Sequence, residues 1–112
     1  MIEIRVFADV LIKGLDDCVL IDQLIWDAKE EIRGNHWKRF FTELLHYLLE
    51  GDLIQVGELT AEGFSPWVRE CAEIVQSVLD DLDRLSWEPE LGSRVWITNT
   101  GAGNDTARLL ID

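Results

Sequence analysis

The chain has 112 residues, 47% hydrophobic and 29% charged, and its 22 acidic against 10 basic residues leave a net charge of −12. That length fits a single domain over residues 1–112, able to bury roughly two thirds of the surface its unfolded form exposes, and the composition excludes a disordered tail. The charge works against nucleic acid and anionic membranes, which reward Lys and Arg, and favours a basic protein partner.

In chain order, residues 2–13 read IEIRVFADVLIK. Ile2, Ile4, Val6, Ala8, Val10 and Ile12 share one parity, the period of a strand with one buried face; the segment also suits a loose N-terminal arm. Gly14 breaks the pattern. Residues 19–33 carry Ile21, Leu24, Ile25, Ala28 and Ile32 at steps of three and four, which predicts a helix, with Asp16 and Asp17 as cap candidates and Gly34-Asn35 as its end. Residues 36–50 carry a second stripe, Trp37, Phe40, Phe41, Leu44, Leu45 and Leu48, stopped by Gly51. The short connection predicts a compact helical corner or hairpin.

LIQVGEL, residues 53–59, reads as a short strand and TAEG as a turn. Ser65-Pro66 reads as a helix start, since serine accepts from free N–H groups and proline is tolerated in the first turn. The helix then runs to Leu85 on a stripe of Val68, Cys71, Ile74, Val75, Val78, Leu82 and Leu85, and Pro89 closes its exit. RVWIT, residues 94–98, is the last strand. The fold class is α+β, with most of its mass in three main helices joined by short strands.

The end of the chain, NTGAGNDTARLLID, poses a Gly-x-Gly after a strand. A dinucleotide loop needs a further βαβ unit, and too little chain follows; no Gly-Lys-Ser/Thr forms a Walker loop. Gly101 and Gly103 are expected to supply positive φ in a tight turn, with Asn104 or Asp105 capping a last helical turn. His36 and His46 lie ten apart, which is not the spacing of helix-borne metal ligands. Cys71 falls on an apolar stripe and reads as a buried, inert thiol. Neighbouring acids on a helix point in different directions, so pairs such as Asp80–Asp81 do not read as general acid and base. No cofactor, metal or catalytic residue is assigned, and the chain is expected not to be an enzyme.

The two cysteines, Cys18 and Cys71, form no CxxC pair and suit a reducing compartment. No secretory h-region and no apolar run long enough to span a membrane is visible, so the expected localisation is cytoplasmic. The feature most suggestive of function is the acidic cluster Asp80, Asp81, Asp83, Glu88 and Glu90 around Trp87. Acids late in a helix oppose its dipole, and together with an aromatic anchor they suit a partner-binding patch.

LLHYLLEGDLIQVGEL resembles the helix of a winged-helix domain running into its strand, and RVWITNTGAGNDTARLL resembles the end of a wing strand, with Thr98 and Gly101 in the matching places. EGFSPW and the helix after it are similar to small bacterial winged-helix-like proteins of uncharacterised role. The resemblance covers roughly residues 20–110 and implies a winged-helix-like scaffold. Its candidate recognition helix, 66–85, sets Arg69 and Arg84 against Glu70, Glu73, Asp80, Asp81 and Asp83, which favours a protein partner over DNA. In size and charge the chain is similar to the immunity proteins that neutralise toxins, often nucleases. This implies occlusion of a basic partner; the alternative is a winged-helix regulator or adaptor touching DNA through Lys38, Arg39 and Arg94.

Overall fold

The computed structural model describes residues 10–15, 18–32, 34, 36–88 and 92–111. Among them the fold is α+β, with a four-stranded antiparallel sheet and five helices, one of which is a helical turn at residues 10–13. After that turn come β1 (Val19–Leu20), α1 (Asp22–Glu31), α2 (Trp37–Glu50), β2 (Ile54–Thr60), β3 (Gly63–Pro66), α3 (Cys71–Arg84), β4 (Trp96–Asn99) and α4 (Gly101–Ile111). The sheet order is β1-β4-β2-β3, so the last strand enters between the first strand and the hairpin.

The apolar stripes of the helices meet one face of this sheet. Ile21, Leu24, Ile25 and Ala28 from α1 and its entry, Phe41, Leu44, Leu45 and Leu48 from α2, and Ile74, Val75, Val78 and Leu82 from α3 are all buried in one cluster. Ile54, Val56 and Ile97 join it from the sheet, while Gln55, between the first two, is exposed. That is the period-two alternation of a strand with one packed face. Burial of such side chains, at about 1.5–3 kcal/mol each, is the main force holding the layers together.

Several local expectations are corrected by tertiary contacts. Residues 2–9 of the expected first strand lie outside the described residues. Where that segment is described it is helical, with the neighbours Val10 and Leu11 both buried. Asn99 Nδ2 donates to the Leu11 carbonyl at 2.7 Å, and Lys13 Nζ reaches Asp27 Oδ1 at 2.9 Å, so the turn is anchored to β4 and α1. The first expected helix begins late because Val19 and Leu20 pair with Ile97 and Trp96 as β1. Asp16 and Asp17, the expected caps, lie outside the described residues; Ile21 occupies the N-cap with no side-chain hydrogen bond. After α2 the left-handed residue is Asp52, with φ +54°, and not Gly51, whose φ is −77°.

Ser65-Pro66 does not start a helix. The pair lies in β3, where Ser65 faces Glu58 and Pro66 faces Gly57 in the hairpin register. At an edge strand the missing N–H of proline costs the sheet little, so pairing overrides the helix-start signal. α3 opens only at Cys71, and Val68, expected on its stripe, is 94% exposed. The thiol of Cys71 is correspondingly half-buried rather than enclosed.

The Gly-x-Gly segment is likewise not a turn. Gly101 and Gly103 sit in the first turn of α4, and neither has positive φ. Thr100 caps the helix: its Oγ1 accepts from Gly103 N–H at 3.0 Å and donates to the Asp52 carbonyl at 2.6 Å. Gly103 is small because the helix presses on the connection between α2 and β2; a Cβ there would run into the Leu53 carbonyl oxygen.

Candidate partner-binding site

The acidic cluster is divided by the helix that carries it. Asp81 is partly buried, with its side chain 18% exposed, and both its oxygens are engaged. Oδ1 receives Arg84 at 2.8 Å and Oδ2 receives the Ser93 hydroxyl at 2.9 Å, tying the end of α3 to the approach to β4. Asp80 is exposed and accepts from Gln76 Nε2 at 2.9 Å. Asp83 is exposed and accepts the indole N–H of Trp87 at 2.8 Å. Glu88 is exposed, and Glu90 lies outside the described residues.

Trp87 is an organised residue rather than a free anchor. Ser86 and Trp87 take φ of +55° and +60°, in the left-handed region that costs a non-glycine residue roughly 1–2 kcal/mol. Trp87 N–H returns to the Leu82 carbonyl at 2.7 Å, the long bond of a Schellman turn. This folds the indole back against α2, edge-on to Trp37 and Phe41 at centroid distances of 5.4 Å. Lys38 Nζ lies 4.9 Å from the centroid of the Trp87 ring, within range of a cation–π contact.

The exposed tryptophan is Trp26 on α1, at 61%. It lies off the stripe formed by Leu24, Ile25 and Ala28, and so faces outward. Asp22, Trp26, Trp87 and Glu88 line a cleft of about 480 Å³ together with Gln23 and Lys29. Asp22 is in the first turn of α1, where the helix dipole favours a negative charge. The ammonium of Lys29 sits 4.6 Å from the Trp37 ring centroid, a cation–π contact on the cleft wall.

The cleft therefore joins two of the residues singled out in the sequence, Trp87 and Glu88, to Asp22 and Trp26, which were not singled out. The signal for Trp26 was its place on α1, one residue after two apolar neighbours and off their face. Asp81 lines a different cleft, described below. Among the described residues, no group of three or more His, Cys, Asp or Glu is placed to hold a metal ion. His46 approaches Glu50 at 3.3 Å along α2, and His36 precedes that helix without capping it. Among the described residues, no helix is long and apolar enough to cross a membrane.

Compared with models of known families, with curated proteins and with solved structures, the chain matches none.

Proposed function

We propose that this chain is a non-catalytic acidic binding protein that occludes a basic protein partner, in the manner of an immunity protein neutralising a toxin such as a nuclease. The observation that carries this reading is the cleft in which exposed Trp26 stands beside the carboxylates of Asp22 and Glu88. An arginine or lysine side chain suits such a place: its charge meets the carboxylates and its stem lies on the indole. The net charge of −12 adds long-range attraction for a cationic surface and speeds encounter. A nuclease presents such a surface because it must neutralise phosphate, and covering it blocks substrate.

The winged-helix regulator is the second reading, supported by the order β1, two helices and the β2–β3 hairpin. Its proposed DNA contacts are dispersed. Lys38 packs over the Trp37 and Trp87 rings, Arg39 pairs with Glu43 at 3.2 Å on α2, and Arg94 lines another cleft. Occlusion of a basic protein accounts for the charge better.

The test is retention of proteins from a lysate of the source organism by the native chain and by Trp26→Ala combined with Asp22→Asn and Glu88→Gln. The expected result is a basic protein held by the native chain, released by salt and absent from the variant. An unchanged set of retained proteins contradicts this reading.

A further inference from the structure

Three of the chain's 10 basic residues, Arg69, Arg84 and Arg94, line a single cleft of about 510 Å³ between α3, the hairpin and the approach to β4. In a chain of net charge −12 such a gathering of cations is a local reversal of sign. Among the described residues Glu58 and Asp81 also line the cleft, so three guanidinium groups stand against two carboxylates there.

Two of these arginines are held in place. Arg84 is fixed by Asp81 at 2.8 Å, and Asp81 is itself fixed by the Ser93 hydroxyl. Arg69 donates to Ser77 Oγ at 3.0 Å, and its guanidinium carbon lies 5.0 Å from the centroid of the Trp67 ring. These contacts use part of each fork and leave N–H groups over. Arg94 is exposed and has no hydrogen bond or ion pair among the described residues. A guanidinium held in advance loses less freedom on binding, and its planar donors match the oxygens of a phosphoryl group in pairs.

We propose that this cleft binds a small oxyanion, a phosphate group, through Arg69, Arg84 and Arg94. The ligand is small because the negative potential of the rest of the surface opposes a long polyanion. The phosphate is supplied either free in solution or as the head of a small phosphorylated metabolite.

The test is an NMR titration of the native chain with inorganic phosphate at constant ionic strength, following the arginine Nε–H and tryptophan indole N–H resonances. Saturable shifts confined to Arg69, Arg84, Arg94 and Trp67 are expected, with sodium chloride alone giving none. Arg94→Gln, which removes a side chain without described partners, is expected to weaken phosphate binding about tenfold while leaving the remaining spectrum folded. Trp26→Ala, in the other cleft, is expected to leave it unchanged. Glycerol phosphate binding more tightly than inorganic phosphate identifies a metabolite head group, and equal binding identifies free phosphate. Shifts that do not saturate, or an Arg94→Gln chain that binds as the native one does, overturn the proposal.

Discussion

Asp81 and Asp83 stand two positions apart on α3 and serve different structures. Asp81 holds Arg84 and Ser93 at the start of the arginine cleft, whereas Asp83 takes the indole N–H of Trp87 and steadies the aromatic wall against α2. Asp83→Ala is therefore expected to loosen Trp87, read as a loss of near-ultraviolet circular dichroism with the helical signal kept. Ser86 holds a left-handed conformation without being glycine. Ser86→Gly relieves that conformation and is expected to raise unfolding stability by about 1 kcal/mol in a denaturant titration. A loss of stability there would show that the Ser86 side chain makes a stronger contribution than its backbone strain costs. Gly101 and Gly103 provide a matched pair. A Cβ at Gly101 meets open space, whereas at Gly103 it meets the Leu53 carbonyl, so Gly103→Ala is expected to cost about 1–3 kcal/mol and Gly101→Ala to cost nothing. The close approach of Gly103 to a backbone 50 residues earlier is a tertiary fact, so the sequence signal at this glycine was ambiguous between a turn and a tightly packed helix.

At the scale of elements, the amphipathic stripes were readable and the boundaries were not. Leu24, Ile25 and Ala28, the α2 leucines, and Ile74, Val75, Val78 and Leu82 are buried as their spacing requires. The helical period places these side chains on one face, and packing against the neighbouring layers buries that face. Val19–Leu20 fits the α1 pattern as well as a strand, because two apolar residues suit either period, and only the pairing with β4 decides. Ser65-Pro66 carries a local helix-start signal that hairpin pairing outcompetes. Of the candidate site, Trp87 and Glu88 were legible from local charge and aromatic content, whereas Asp22 and Trp26 come from a helix more than 60 residues earlier and meet them only in the fold. The cap of α4 gives this scale its test. Thr100→Ala removes the acceptor of the Gly103 N–H and the donor to Asp52, and is expected to cost about 1 kcal/mol. Hydrogen exchange should quicken first at Gly103 and Asn104; protection unchanged at both positions would place the stability of that turn elsewhere.

For the molecule as a whole, charge and core act in opposite senses. Phe41 on α2 is fully buried and edge-on to the Trp87 ring, and Phe41→Ala is expected to cost about 3–5 kcal/mol, a large part of a small domain's stability. The excess of carboxylates repels itself over the surface, and its ion pairs, such as Arg39–Glu43 and Arg108–Asp105, are exposed and contribute little. Sodium chloride at physiological strength is thus expected to raise the melting temperature above its value at low salt. An acidic surface kept despite this cost suits a protein whose partner is cationic. The most direct measurement places a photo-crosslinking amino acid at position 26 in living cells of the source organism, with position 109, where Leu109 is 79% exposed, as its counterpart. A basic protein joined at position 26 and absent at position 109 is the expected result. Crosslinks at position 109 alone, or at neither position, would contradict occlusion through the Trp26 cleft.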